Sequence, residues 1–235
     1  MINIQNIPGD FVQHRIPNGD IHILRWDLAE PLGELLHHPP HALETISTGK
    51  GATRFYPLAG IEIAVKEYHH GGLLAPLIQD YYIAPPHRAI EEMFLLAIAQ
   101  EQGAPVLEPL GCAIIPVLGP IFRYRLITRR EAGARNLLQR LRAGESGFEE
   151  ACATALHLLH DAGIWHRDLN LANFIIGERG VIICDLDRGT HHPHLSSEQK
   201  ENNLQRLDRS IQKQGMNKQF SMTRFRQFYM TDTET

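Results

Sequence analysis

The stretch Leu158–Asp187, LLHDAGIWHRDLNLANFIIGERGVIICDLD, decides how the rest of the chain is read. Leu and Ala recur at three and four residues from about Phe148 to Asp161 and predict a helix that ends at Gly163. A polar loop follows with His166, Arg167 and Asp168, and Asn173 stands five residues after Asp168. NFII and VIIC then read as two short strands around the turn GERG, and Asp185 closes the second.

Taken singly, an Asp or Asn after a helix end simply caps a turn through its backbone NH groups. The ordered set of His166, Arg167, Asp168, Asn173 and Asp185 in this loop-and-strand context is a far more specific pattern. Phosphoryl transfer needs a carboxylate to accept the acceptor's proton and oxygen ligands for a magnesium ion (Mg2+) that bridges the phosphates. Asp168 is expected as the base and Asn173 and Asp185 as the metal ligands, with ATP as donor. His166 is read as a brace of the loop.

The first half supplies residues suited to a nucleotide. STGKGATRFYPLAGIEIAVKEY, residues 47–68, reads as two antiparallel strands turning at Gly60, with Gly49 and Gly51 at a glycine-rich mouth where backbone can approach phosphates. Lys66 ends the β pattern IEIAVK, from which an ammonium can reach the α and β phosphates. PHRAIEEMFLLAIAQEQG predicts a helix ending at Gly103, from which Glu92 can pair with Lys66; Glu91 is the rival, and the apolar stripe leaves both open. GCAIIPV and IFRYRLIT read as strands, GGLLAPLIQDYY as a short helix, and two further helices are expected at about 134–142 and 196–214.

The implied fold class is α+β, a protein-kinase-like two-lobed fold with a small, mostly β N-lobe and a reduced helical C-lobe. Residues 1–44, rich in proline with short extended candidates near Phe11 and Ile21, read as an N-terminal extension. The ATP-binding N-lobe is expected over 45–128, the C-lobe with the catalytic loop over 129–220, and a tail over 221–235. Residues 186–235 are too few for an activation segment plus a peptide-gripping platform, so a compact acceptor is implied.

Composition narrows the alternatives. With 43% hydrophobic and 21% charged residues the chain is built to fold, and a net charge of -4 gives no reason to expect nucleic acid as a partner. Cys112, Cys152 and Cys184 form no CxxC pair, which suits a reducing cytoplasm, and neither a secretory leader nor an apolar run long enough to span a bilayer is visible. The clusters His37, His38 and His41, His69 and His70, and His191, His192 and His194 lack the HExxH arrangement, so no dedicated metal site is expected from them.

From about Gly49 to Gln214 the chain resembles the lipopolysaccharide kinase family. The resemblance rests on GKGATRFY, on Tyr68 before GGLLAPLIQDYY, on HRAIEEMFLLAIAQEQGAPV, LHDAGIWHRDLNLANFII and ICDLDRG, and on NNLQRLDRSIQK. It implies transfer of the ATP γ-phosphate to a sugar hydroxyl of 3-deoxy-D-manno-octulosonic acid (Kdo) on lipid A precursor. The enzyme would sit as a peripheral protein at the cytoplasmic face of the bacterial inner membrane. Asn170 stands where serine/threonine protein kinases carry lysine, Asp187 where they carry the last glycine of DFG, and His69 and His70 where the family often has arginine.

An anionic acceptor calls for basic partners, and Arg88, Arg123, Arg125, Arg129, Arg130, Arg188, Arg206 and Arg209 are candidates, although solvated faces explain most of them equally well. LLAPLIQDYYI can rest on a bilayer surface, but core packing is the commoner fate of such a stripe. Two other readings compete: a kinase of a soluble acceptor such as an aminoglycoside, choline or small sugar, and a non-catalytic pseudokinase. The pseudokinase reading is opposed by the presence of the lysine, the base and both metal ligands.

Overall fold

The computed structural model describes residues 8–48, 51–68, 82–83, 88–118 and 121–231. Gly49 and nearly all of GGLLAPLIQDYY, including the expected short helix and bilayer-facing stripe, lie outside these residues. The chain divides into two compact units, residues 1–94 with 108–130 and residues 95–107 with 131–235.

The first unit is built on one antiparallel sheet. It comprises β1 (Phe11–Arg15), β2 (Ile21–Arg25), β3 (Glu44–Thr48), β4 (Gly51–Leu58), β5 (Ile61–Tyr68), β6 (Tyr82–Ile83), β7 (Pro109–Leu118) and β8 (Ile121–Arg129). Helix α1 (Ala29–His37) lies between β2 and β3 in the chain, and α2 (Arg88–Glu101) begins in this unit. The strand order is β1-β2-β7-β8-β5-β4-β3, with β6 pairing on β8.

The β4–β5 hairpin closes between Leu58 and Ile61. Its two turn residues, Ala59 at φ 47° and Gly60 at φ 82°, both adopt the left-handed backbone of a two-residue turn whose twist matches the strands. Alternation along β5 then sends Ile63 and Val65 to one face and Lys66 to the other. Ile63 and Val65 join Tyr56, Leu58, Leu110 and Ile127 in a core with Leu32, Leu35 and Leu36 of α1. Each of those leucines contributes roughly 1.5–3 kcal/mol by burial.

That core corrects the reading of residues 1–44 as an irregular extension. β1 pairs with β2, β2 pairs with β7 from Ile21↔Ile114 to Leu24↔Gly111, and α1 covers the sheet face carrying Val65. The signal is faint in sequence because each strand has only five residues and the partner of β2 lies far along the chain.

The second unit holds β9 (Arg135–Asn136), α3 (Leu137–Arg142), α4 (Glu149–Asp161), β10 (Ile164–Trp165), β11 (Phe174–Gly177), β12 (Gly180–Ile183), β13 (Thr190–His191), α5 (Ser197–Gln214) and α6 (Met222–Thr231). β12-β11-β9 form a small antiparallel sheet, and β10 pairs with β13. The helix expected from residue 134 starts only at Leu137. Arg135 and Asn136 pair with β11, and Asn136 caps α3 through a reciprocal box with Gln139. Ser196 and Gln199 make the same box on α5, which stops at Gly215 with φ 67°.

Residues 221–235, expected as a tail, contain α6 instead. Phe225 and Tyr229 stand four apart on one face, both buried, and the helix packs against α4. The Ser221 NH donates to Glu149 Oε1 at 3.0 Å, fixing the start of α6 to the start of α4.

Candidate functional site

Lys66, on β5, reaches Glu92 on α2, with Nζ 3.0 Å from Oε2 and 3.2 Å from Oε1. Of the two candidate glutamates, Glu92 is therefore the partner, and it is 2% exposed. The Tyr68 hydroxyl donates to the same carboxylate, and the Lys66 ammonium lies 5.0 Å from the Tyr68 ring centroid. Two residues on β5 thus converge on one buried carboxylate, because positions i and i+2 of a strand share a face. Gly51 opens β4, opposite Thr48 on β3 and Tyr68 on β5.

The second set of residues grows from the end of α4. Gly163 takes φ 70°, and a Cβ there would lie 2.0 Å from the His192 carbonyl oxygen, so only glycine lets β10 pass this close to β13. His166 follows, 1% exposed, its Nε2–H donating to the Cys184 carbonyl at 3.0 Å. Burial holds its pKa below the ordinary imidazole value, so the ring braces the loop as a neutral donor. Arg167 has φ 33° and stacks its guanidinium over Trp165 at 5.1 Å.

Asp168 lies just beyond this turn, its NH donating back to the His166 carbonyl. One side-chain oxygen, Oδ1, accepts from Arg206 Nη1 of α5 at 3.1 Å. Asn170 knots the next turn: its Oδ1 accepts the Ala172 NH at 2.9 Å, and its Nδ2 donates to the Asp168 carbonyl at 3.1 Å. The Asn170 NH donates to Asn173 Oδ1 at 2.8 Å, and the Leu171 NH donates to Ser210 Oγ of α5 at 3.2 Å. Asn170, at a position where protein kinases keep a lysine, thereby serves the backbone of the loop.

Asn173 and Asp185 leave the same end of the β11–β12 hairpin. Phe174 pairs with Ile183, and the Cys184 NH donates to the Asn173 carbonyl at 2.9 Å. Asp185 has φ 65°, a conformation rare outside glycine and characteristic of strained functional positions. Asp168 and Asn173 are thus linked through Asn170, and Asp185 follows Cys184, whose NH and carbonyl bond Asn173 and His166, while Lys66 and Glu92 form the pair in the other unit.

Helix α5 is what the local motif does not reveal. Asn203, Arg206 and Ser210 share a face at three- and four-residue spacing. Asn203 Oδ1 meets His160 Nε2 at 2.9 Å, and His160 Nδ1 meets the Tyr229 hydroxyl at 2.7 Å, anchoring α5 to α4 and α6. The polar stripe in NNLQRLDRS is the only trace of this in the sequence. Among the other arginines proposed for an anionic acceptor, Arg125 pairs with Glu67, Arg129 with Glu108, and Arg130 with Glu44 and Glu62. Among the described residues no group of three or more His, Cys, Asp or Glu is arranged to hold a metal, and no helix is long and apolar enough to cross a membrane.

The profile of the lipopolysaccharide kinase (Kdo/WaaP) family matches residues 44–230. The chain belongs to that family. A 3-deoxy-D-manno-octulosonic acid kinase of Pasteurella multocida is 31% identical over 178 residues, covering 71% of this chain and 73% of the relative. The kinase of the same name from Vibrio parahaemolyticus is 28% identical over 179 residues, covering 74% of each. The fold agrees as well: a solved structure described as WaaP in complex with acyl carrier protein superposes with a TM-score of 0.58 at 14% identity, covering 89% of this chain and 88% of that one. This lipopolysaccharide kinase family member thus carries the α+β, kinase-like architecture of a sheet-built N-lobe and a helical remainder. The family match begins at the first residue of β3, so the β1–β2 hairpin and α1 lie outside it.

Proposed function

We propose that this chain transfers the γ-phosphoryl group of ATP to a hydroxyl of Kdo on lipid A precursor, working as a peripheral enzyme at the cytoplasmic face of the inner membrane. Support for the acceptor comes from the relatives named as Kdo kinases and from the family match over residues 44–230. The observation that supports the chemistry is the loop in which Asn170 ties Asp168 to Asn173 while His166 bonds the carbonyl of Cys184, the residue before Asp185.

Asp168 is the proposed base. Its Oδ1 is engaged by Arg206, which leaves Oδ2 to take the proton of the acceptor hydroxyl. As the acceptor's hydroxyl oxygen, its proton passing to Oδ2, bonds to the γ-phosphorus, the bond from phosphorus to the β-γ bridging oxygen breaks and ADP departs. Lys66, steadied by Glu92 and Tyr68, is the proposed contact for the α and β phosphates, and Gly49 and Gly51 are the residues proposed to let backbone approach them.

The donor set fits magnesium. Asn173 Oδ1 accepts one NH and keeps a second lone pair, and Asp185 adds a carboxylate; both are the hard oxygens that this ion takes while retaining water and phosphate ligands. Bound there, magnesium would neutralise charge that develops on the phosphates.

Incubation of the purified protein with ATP, magnesium and Kdo-bearing lipid A precursor is expected to place phosphate on the sugar. Asp168→Asn should keep the thermal unfolding profile and lose about 10²–10⁴-fold in kcat. Turnover of soluble alcohols with none on the Kdo acceptor overturns the acceptor assignment, and an Asp168→Asn rate near wild type removes Asp168 as the base.

A further inference from the structure

Several arginines of this protein pair with carboxylates that lie away from the loop carrying Asp168. Arg226 closes a two-toothed fork on Glu201, with Nη1 and Nη2 each 2.8 Å from a carboxylate oxygen. Arg25 grips Asp27 and Glu108, and Arg140 grips Glu145 and the Ile176 carbonyl. Arg206 differs. Among the described residues its guanidinium makes a single contact, Nη1 to Asp168 Oδ1 at 3.1 Å, and its side chain is 38% exposed. A guanidinium has five N–H donors in a planar fork, so most of this fork stands open beside the proposed base.

A clasp whose only task was to hold Asp168 would compete for the carboxylate oxygens that have to take a proton. Asp168 also needs little holding, because its carbonyl, its NH and the turn after it are already tied by Asn170 and His166. Arg206 is itself fixed from both sides along α5, by Asn203 on His160 and by Ser210 on the Leu171 NH. A guanidinium carried on an anchored helix, beside the proposed base and with donors to spare, suits a planar anion.

The acceptor acid supplies one. We propose that Arg206 is the specificity residue that reads the carboxylate of the sugar acid, its unused donors binding that group while Nη1 stays on Asp168, which seats a neighbouring hydroxyl at Oδ2. This rests on the function proposed above and names the group of the acceptor that the site recognises. The same guanidinium repels cationic acceptors, which sets this site against aminoglycosides and choline.

The test compares the Kdo acceptor with its carboxyl methyl ester, in wild type, Arg206→Gln and Arg206→Lys, by kcat/KM. Wild type should prefer the free acid by about 10–100-fold, the worth of one charge-assisted contact. Arg206→Gln should bring that ratio close to one, mainly by raising KM for the acid, and Arg206→Lys should keep part of it because charge survives without the fork. Equal losses on acid and ester, with the ratio preserved, show that Arg206 only positions Asp168 and overturn the inference. A wild type that turns over both acceptors equally well overturns it too, and does so without any variant. Turnover of the acid by wild type stands as the separate check on the proposed function.

Discussion

Replacing Glu92 by Gln measures how much the orientation of Lys66 is worth. Glu92 is 2% exposed and receives the Lys66 ammonium at 3.0 and 3.2 Å together with the Tyr68 hydroxyl. Glutamine keeps the shape but replaces one accepting oxygen by an NH2, which faces either the ammonium or the hydroxyl donor to donor. A hydrogen bond to a charged group is worth about 1.5–3 kcal/mol. The Lys66 side chain is 31% exposed, so solvent screening lowers the effect to about 1–2 kcal/mol. If Lys66 binds the phosphates, that loss belongs to ATP, as a fall of about 5–30-fold in kcat/KM for ATP. KM for the acceptor should change less than twofold. Steady-state kinetics with each substrate varied in turn give both numbers, and thermal unfolding reports the folded fraction. Tyr68→Phe, which leaves the ion pair in place, should cost about 1 kcal/mol in stability. A folded Glu92→Gln protein whose kcat/KM for ATP stays within twofold of wild type refutes the role given to the pair.

Gly163→Ala should be among the most damaging single-methyl additions in the second unit, since its Cβ would lie 2.0 Å from the His192 carbonyl oxygen at a backbone φ of 70°. Relief requires moving β13 and breaking the 2.9 Å bond from the His192 NH to the Gly163 carbonyl, at about 3 kcal/mol or more, a drop of roughly 6–12 °C in Tm. A Tm change under about 2 °C contradicts the packing described. Stability should also fall on acidification. Burial lowers the pKa of His160 to about 4 and lowers those of His166 and His22, whereas the unfolded chain takes up these protons near the ordinary value of about 6.5. The stabilisation is therefore complete above that value and is lost as pH falls toward 4, with His160 alone contributing about 2–3 kcal/mol between pH 7.5 and 4.5. Urea titrations at the two pH values check this. His160→Gln should flatten the slope, and a wild type that gains stability on acidification refutes the assignment.

The parts of the molecule that are legible in sequence are those whose partners are close along the chain or fall on a strong period. IEIAVK alternates cleanly enough to set Lys66 apart from Ile63 and Val65, and Asn173 and Asp185 flank the same end of one short hairpin because only ten residues of strand and turn separate that end's two sides. Glu91 and Glu92 could not be separated by pattern, because α2 is apolar around most of its circumference and its stripe does not say which acid points at β5. Membership of β1, β2 and α1 in the sheet core escaped for a different reason. Their contacts are with residues near 63, 110 and 127, and a five-residue strand carries too little periodicity to announce a partner so far away. The same distance hid α6, whose Tyr229 answers a histidine on α4.

Helix α5 joins these two cases. Its start and stop are written locally in Ser196, Gln199 and Gly215, yet the purpose of its polar face appears only with the fold. Asn203 reaches the helix before the loop, Arg206 the proposed base, and Ser210 the backbone after it, at His160, Asp168 and Leu171. Three contacts spaced along one rigid helix determine both its rotation and its translation, since a slip of one residue turns the helix by about 100° and removes all three together. The chain therefore holds the loop that carries the proposed base from a helix that follows it in sequence, so stability measured on α5 and activity measured at Asp168 should respond together when that polar face is altered.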